Sequence, residues 1–175
     1  DTFLDEYTFS TMPAESFTLY AKWTINQYTI SFNSNGGSAV VAITQDYGTE
    51  VSVPTAPTRD YYTFNGWYTD DGTFSNAYTF TTMPADNITV FAKWTINQYT
   101  ISFNSNGGSE VTAITQDYGT EVDEPAEPTK AGYTFDGWYT DNNTFENEYT
   151  FSTMPAESFT LYAKWTINQY TISFN

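Results

Sequence analysis

Carboxylates are the side chains in this sequence with the greatest capacity for chemistry. The 175 residues contain 21 Asp and Glu against 5 Lys and Arg, with a net charge of -16 and no His or Cys. Without Cys and His, disulfides, thiolate nucleophiles, imidazole bases and the usual zinc sites are excluded. The negative charge also disfavours nucleic acid and anionic lipid as partners. Calcium, which prefers oxygen ligands, remains a candidate.

An acidic turn is the first candidate calcium site. Asp70 and Asp71 precede Gly72, and the matching stretch 71 residues later reads Asp-Asn-Asn from Asp141. The ligand spacing of an EF-hand loop, with its Glu at the twelfth position, is absent. Asp and Gly are also the residues that a tight turn needs for its own geometry. A solvated turn is therefore favoured over a metal site.

A second acidic group could supply a general acid and base. Asp123, Glu124 and Glu127 lie close together in sequence, but the residues 71 positions earlier are Ser, Val and Ala. A catalytic pair would not be expected to vanish from a segment otherwise so similar. We interpret these carboxylates as a variable acidic surface that favours solubility, and we predict no catalytic residue, metal site or cofactor.

Lysine recurs at one place, between Ala and Trp, at Lys22, Lys93 and Lys164. A crosslink between such a lysine and an asparagine would require the lysine to be buried beside a carboxylate. Strand alternation instead places Lys93 on the face opposite Ala92 and Trp94. We therefore expect an outward-facing lysine and no crosslink.

The five tryptophans also recur, and they permit two interpretations. They could form a platform for stacking on sugar rings, or they could fill the core. A small domain without disulfides needs large apolar side chains in its interior, and each buried Trp contributes a few kcal/mol. We predict a core role for two of them and for four aromatic residues of the first strands: Trp67, Trp138, Tyr28, Phe32, Tyr99 and Phe103.

A strict internal repeat positions all of these residues. The string TINQYTISFN begins at Thr24, Thr95 and Thr166, a period of 71 residues. Residues 24–94 and 95–165 differ at only 20 of 71 positions. Solenoid repeats are shorter, about 20–50 residues, so this period favours small domains with separate cores. We predict a C-terminal remnant of a repeat at 1–23, complete repeats at 24–94 and 95–165, and the first strand of another at 166–175. Because the chain begins with Asp1, we expect a segment of a longer protein.

Each repeat has the periodicity of β-strands. Tyr28, Ile30 and Phe32 alternate with polar residues, and an Asn-Gly-Gly turn follows at 35–37. Further β-rich runs are expected at 40–47, 62–68 and 88–94, around a Pro-containing crossing. No amphipathic stripe spans three helical turns, although a single helical turn fits between residues 54 and 64 or between 74 and 84. The fold class predicted is mostly β, with α+β as its limit.

Four motifs in fixed order resemble the internalin B-repeat, also called the Listeria-Bacteroides repeat. They are YTISFNSNGG, DYGTEV with the Pro-rich crossing, GYTFDGWYTD at Gly132–Asp141, and LYAKW at Leu161–Trp165. The resemblance covers the whole repeat. It implies a compact β-grasp-like domain, used in tandem between the functional head and the wall anchor of bacterial surface proteins.

Two positions depart from the family pattern. Tyr61 stands where the second repeat has Gly132, so we expect that this turn does not require a backbone that only glycine adopts. Gln45 and Gln116 replace an aliphatic residue two positions before the Tyr-Gly pair. The second strand is therefore expected to be less buried or to lie at a sheet edge.

The joint between repeats is the most informative segment. Apolar residues occupy even positions from Ile88 to Ile96 and odd positions from Tyr99 to Phe103, so the pattern slips at 97–98. A slip of one residue reverses the face that a strand buries. We predict that the last strand of one domain leads directly into the first strand of the next, giving an elongated rod. The candidate joint residues are Trp23, Thr24, Ile25, Asn26, Gln27, Trp94, Thr95, Ile96, Asn97, Gln98, Trp165, Thr166, Ile167, Asn168 and Gln169.

The function predicted is non-enzymatic: a stalk, spacer or fibre in a bacterial surface or extracellular protein. The alternative is an adhesive module that contacts carbohydrate, a host receptor or calcium through repeated aromatic or acidic loops. The expected partners are neighbouring repeats of the same chain, with lateral self-association or a ligand on a cell surface left open. Neither nucleic acid binding nor membrane insertion of this segment is expected.

Overall fold

The computed structural model describes residues 6–174, which contain eight strands and no helix. The mostly β prediction is thus confirmed, and neither crossing contains the single helical turn that the sequence allowed. The strands form two four-stranded sheets, with orders β2-β1-β4-β3 and β6-β5-β8-β7. Their bounds are β1 Gln27–Asn33, β2 Ile43–Asp46, β3 Tyr62–Tyr68, β4 Ile88–Ile96, β5 Gln98–Asn104, β6 Ile114–Asp117, β7 Tyr133–Tyr139 and β8 Phe159–Ile167.

The first two strands of each sheet form an antiparallel pair. In the first sheet the register runs from Gln27 opposite Asp46 to Ile30 opposite Ile43. The second strand is shorter than the predicted 40–47, and Val41 before it is 86% exposed. Both second strands lie at a sheet edge, as the glutamine substitution indicated. Gln45 accordingly donates hydrogen bonds to the carbonyls of Thr49 and Glu50 rather than packing in the core.

The first and last strands of each repeat pair in parallel at the centre of the sheet. Ile30 aligns with Ile88 and Phe32 with Val90 in the first sheet, and Ile101 aligns with Phe159 in the second. Ile30, Val90 and Ile101 are fully buried. Parallel strands need a long crossover between them, which explains why the two partners lie at opposite ends of the repeat.

The crossover is irregular but tied to the sheet by backbone hydrogen bonds. In the first repeat the Gly48 amide donates to Met83, and the Met83 amide donates to Thr49. Gly119, Thr120 and Met154 repeat this arrangement in the second. Both methionines are buried, so the recurring Thr-Met-Pro-Ala motif serves as an apolar anchor for the crossover.

The aromatic core centres on one tryptophan in each repeat. Trp67 is 5% exposed and Trp138 is 1% exposed. Phe32 packs against Trp67 with ring centroids 4.9 Å apart, and Phe103 packs against Trp138 at 4.8 Å. Phe32, Phe103, Tyr28 and Tyr99 are half-buried at the margin of these cores.

Compact units defined by internal contacts do not coincide with the sequence repeats. One unit contains residues 1–35, 39–56 and 67–92, and the other contains 36–38, 57–66 and 93–175. The boundaries predicted at residues 24, 95 and 166 therefore remain predictions. In the two flanking segments, described here as 6–23 and 168–174, no strand is present.

A tryptophan packs closely on the turn between the first two strands of the second repeat. The Trp165 indole Nε1 donates to the Ser105 carbonyl at 2.8 Å. A Cβ placed on Gly108 would lie 2.5 Å from Cζ2 of this indole and 3.2 Å from the Thr129 carbonyl oxygen. The turn therefore requires glycine at position 108 for space.

We expect Gly108→Ala to destabilise the second repeat by about 1–3 kcal/mol, since overpacking forces neighbouring atoms to move. Urea unfolding monitored by circular dichroism measures the change. The same substitution in a Trp165→Phe background should cost less, because phenylalanine lacks the indole atoms that clash. Equal costs in both backgrounds would show that the close contact is not the cause.

Candidate functional site

The predicted joint is a single residue between two central strands. β4 ends at Ile96 and β5 begins at Gln98, so only Asn97 lies between them. The slip in the apolar pattern falls at this point. Trp94 and Ile96 are half-buried, whereas Thr95 and Gln98 are exposed. The connection is thus shorter than the four residues 95–98 proposed from the sequence, and it contains neither Gly nor Pro.

Asn97 makes three hydrogen bonds within the second compact unit. Its amide donates to the Tyr61 carbonyl at 2.9 Å, and its own carbonyl accepts from the Tyr118 amide at 2.9 Å. The Thr63 hydroxyl donates to its Oδ1 at 2.7 Å. Main chain and side chain of Asn97 thus have hydrogen-bond partners on both sides of it in the sequence.

The equivalent asparagines make the same bonds wherever their partners occur in the chain. The Asn168 amide donates to the Gly132 carbonyl at 2.8 Å, and Thr134 donates to its Oδ1 at 2.7 Å. The Asn26 carbonyl accepts from the Tyr47 amide at 2.8 Å. Asn97 makes the bonds seen at Asn168 as well as the bond seen at Asn26. These hydrogen bonds are therefore a recurring feature of the repeat.

The remaining joint residues have simpler environments. Gln27 donates to Asp46 and Gln98 donates to Asp117, each at 2.9 Å, across the antiparallel pair. Trp165 packs edge-on against Phe135 at 5.5 Å. The outer joint residues are exposed, with Trp23 at 88%, and they are Trp23, Thr24, Ile25, Asn26, Gln27, Thr166, Ile167 and Gln169.

The turn before β3 brings a further residue to the joint. Tyr61 has a φ of 66° and Gly132 has a φ of 79°, so both repeats use a left-handed backbone there. The turn favours glycine but does not require a backbone that only glycine adopts, as expected, and Tyr61 adopts this conformation at a cost of roughly 1–2 kcal/mol. Its ring stacks on Tyr118, with centroids 3.7 Å apart and planes inclined by 20°. Hydrogen bonding with Tyr61 is the main cause that raises the pKa of Tyr118 above its usual value.

Three residues of this cluster were not among the predicted joint residues: Tyr61, Thr63 and Tyr118. Thr63 and Tyr118 recur at the 71-residue period, as Thr134 and Tyr47, and this recurrence was the available signal. They lie far from Asn97 in sequence, so only the sheet pairing brings them to it.

The carboxylates of the acidic turns accept hydrogen bonds from backbone amides of the same turn. Asp70 accepts from the Thr73 hydroxyl and from the amides of Ser75 and Asn76. Asp141 accepts from the amides of Thr144 and Phe145 at 2.8 Å. Hydrogen bonds from Thr73 and then Ser75 lower the pKa of Asp70, and the bond from Phe145 leads the causes that lower the pKa of Asp141. These carboxylates stabilise turns.

The other sequence candidates do not assemble into a site in residues 6–174. Asp123, Glu124 and Glu127 are exposed, and no group of three or more acidic side chains in the described part of the chain could hold a metal. Lys164 is half-buried, with its Nζ 4.8 Å from the centroid of the Tyr139 ring. Trp67 and Trp138 are buried and offer no face to a ligand.

The repeats match a known family model along most of their length. The Listeria-Bacteroides repeat domain matches residues 28–93 and again residues 99–164, more than half of the chain. The chain belongs to this family. The resemblance seen in the four sequence motifs is thereby confirmed.

The relatives that this chain matches are longer than it is. A protein of Evansella cellulosilytica named as a Gly-rich membrane protein is 44% identical over 165 residues, which cover 93% of this chain and 19% of that protein. Internalin H of Listeria monocytogenes is 41% identical over 145 residues, covering 81% of this chain and 25% of its own. The present chain thus spans a fifth to a quarter of these relatives. Within residues 6–174 no helix has the length and apolar character of a membrane span.

The acidic turns of these Listeria-Bacteroides repeats make stability depend on pH. A carboxylate whose pKa is lower in the folded state contributes stability above its unfolded pKa of about 3.9, and this contribution is lost as pH falls toward the folded pKa. We expect the urea midpoint to fall below about pH 4. The decline should be smaller in an Asp70→Asn/Asp141→Asn variant.

Asp123→Asn, at another exposed carboxylate, is the matched control and should retain the native pH profile. Urea titrations at several pH values between neutrality and about pH 2 provide the comparison. If the double asparagine variant loses stability with acid as steeply as the native chain, other carboxylates carry the effect.

The side-chain bond at the joint can be tested separately. Asn97→Ala removes the acceptor for Thr63 and should destabilise by about 0.5–1.5 kcal/mol, the usual net value of a hydrogen bond. Asn26→Ala is the control, because the residue equivalent to Thr63 lies outside the printed sequence for Asn26. Thermal unfolding of both variants should show a loss for Asn97→Ala alone, and equal losses would contradict the assignment.

Proposed function

We propose that this chain is a non-enzymatic spacer segment, part of a stalk that projects another domain from a bacterial cell surface. The proposal is supported above all by the one-residue joint. Each repeat supplies all four strands of its own sheet, and Asn97 alone separates β4 from β5. A domain of this size connected by so short and hydrogen-bonded a segment advances the chain by a set distance rather than wandering as a flexible linker does.

The chemistry of the surface agrees with a mechanical role. The conspicuous carboxylates Asp70 and Asp141 close their own turns, and the acidic group at 123–127 has no counterpart in the first repeat. A net charge of -16 keeps such an array soluble and discourages collapse onto itself. No catalytic role is proposed.

The names of the relatives support a surface location. One carries the name of a membrane protein and another carries the name Internalin H, and both are at least three times as long as this segment. We propose that the repeats lie outside the cell, with further domains of the parent protein on either side. Neighbouring repeats are then the principal partners.

The adhesive alternative has weaker support. It requires the repeated aromatic residues to face a ligand, but Trp67 and Trp138 lie in the core. The surface positions at which the two repeats differ, such as Ser52 and Asp123, are also those that a shared binding site would keep.

Small-angle scattering on chains of two, three and four repeats tests the spacer function. The expected maximum dimension grows linearly, by roughly 30–40 Å per repeat, given a radius of gyration of about 11 Å for 71 residues. Replacing residues 95–98 with a Gly-Ser linker should shorten the average dimension, because the joint would become flexible.

Chains of equal repeat number with and without the Gly-Ser linker form the matched pair. If the native chains already scale with repeat number as flexible chains do, the joint does not set a distance and the spacer mechanism fails. A linear increase in the native series together with a reduced dimension in the linker series supports it.

A further inference from the structure

Tyr61 occupies a backbone position that disfavours its side chain. Its φ of 66° lies in the left-handed region, where ordinary residues are strained. Such strain persists only where surrounding contacts maintain it. At Tyr61 these contacts are the hydrogen bond from the Asn97 amide to its carbonyl and the stack of its ring on Tyr118, both within one compact unit.

The second repeat shows that the turn itself needs no ring. Gly132 has the same left-handed backbone, and a Cβ built on it would meet no atom within 4 Å. Neighbouring hydrogen bonds are also the same, since the amides of Tyr62 and Tyr133 donate to Arg59 and Lys130 at 3.1 Å. Local packing therefore does not explain the choice of tyrosine at position 61.

The surface that receives Tyr61 is present in both repeats. Tyr118 lies 6.4 Å from Tyr99 at 78°, and Tyr47 lies 6.3 Å from Tyr28 at 80°. The Tyr47 amide donates to the Asn26 carbonyl, and the Tyr118 amide donates to the Asn97 carbonyl. Tyr47 is 52% exposed, whereas Tyr118, covered by Tyr61, is half-buried. Each repeat thus presents a tyrosine ring beside the start of its first strand. We call this ring, Tyr47 in the first repeat and Tyr118 in the second, the tyrosine face.

We propose that this tyrosine face is a docking surface for an aromatic side chain at the left-handed position of the preceding repeat. This inference rests on the proposed spacer function. A joint with tyrosine at that position is clamped by ring stacking, and a joint with glycine is held by the asparagine hydrogen bonds alone. The choice between Tyr and Gly then sets the stiffness of each joint, although the joint sequence TINQ is the same at its three occurrences, which begin at Thr24, Thr95 and Thr166.

The occupant follows from the chemistry of the face. Aromatic rings stack favourably in offset arrangements, and a tyrosine hydroxyl adds a hydrogen-bonding group at the rim. The centroids of the Tyr61 and Tyr118 rings lie 3.7 Å apart with planes inclined by 20°, so the two rings are stacked in direct contact. A second repeat of the same kind is therefore the partner for which the surface fits.

Pulsed electron resonance on spin-labelled protein tests the clamp in the complete chain. The sequence has no Cys, so Val53→Cys and Glu124→Cys place one label at equivalent exposed positions of the two repeats. The native joint should give a narrow distance distribution. Tyr61→Gly should broaden this distribution to a width between that of the native chain and that of a chain whose residues 95–98 are replaced by Gly-Ser, because the Asn97 hydrogen bonds remain.

Two controls separate the clamp from general effects on folding. Gly132→Tyr introduces the same strain where the printed sequence offers no tyrosine face, and it should leave the distribution between the labels unchanged. Tyr118→Phe retains the ring and should stay narrow, whereas Tyr118→Ala should broaden as Tyr61→Gly does. Circular dichroism of each variant verifies folding. Tyr61→Gly is expected to fold, because Gly132 occupies the equivalent position of the second repeat.

The outcomes distinguish this inference from the function on which it rests. A narrow native distribution that stays narrow in Tyr61→Gly overturns the clamp and leaves the spacer function intact. A native distribution as broad as that of the Gly-Ser chain overturns both. Broadening in Tyr61→Gly and Tyr118→Ala, with the two controls unchanged, establishes the clamp.

Discussion

Parallel pairing between the first and last strands of each repeat is the constraint on which the rest of the structure depends. Ile30 aligns with Ile88 and Ile101 with Phe159, so the centre of each sheet joins residues nearly a whole repeat apart. The pair buries Ile30, Val90 and Ala92 completely in the first sheet. Because neither strand buries its apolar face without the other, the core requires the entire repeat. The edge strands and the crossover pack around this central pair.

This topology also explains why the joint can be so short. The strand that closes one sheet and the strand that opens the next are both central strands, and one residue separates them. A change of apolar phase at Asn97 lets the chain bury opposite faces on either side without an intervening loop. The amide, carbonyl and side-chain oxygen of Asn97 are hydrogen-bonded to Tyr61, Tyr118 and Thr63, respectively.

The polar chemistry of the chain serves the backbone. Asp70 and Asp141 satisfy amide groups in tight turns, and Lys130 donates to the Asn106 carbonyl while its ammonium lies 4.6 Å from the Tyr133 ring centroid. Such bonds order irregular segments that would otherwise expose unpaired amides. Aromatic residues make up 19% of the sequence. Their buried rings supply stability that other domains of this size obtain from disulfides.

The sequence by itself determined the repeat, the positions of the main strands, the edge location of the second strand and the place of the joint. Periodicity predicts these features because it records which side chains must face the core. The left-handed Tyr61, its stack on Tyr118 and the partners of Asn97 depended on tertiary structure, since they join residues distant in sequence. The clearest case is a segment that occurs twice, at 6–23 and 148–165, with identical residues. Within the second repeat it forms most of β8 and buries Met154 completely, whereas at 6–23 it forms no strand and leaves Met12 93% exposed. The same apolar pattern becomes a strand only where a sheet is present to pair with it and exclude water, because a lone strand neither satisfies its hydrogen bonds nor buries its apolar face.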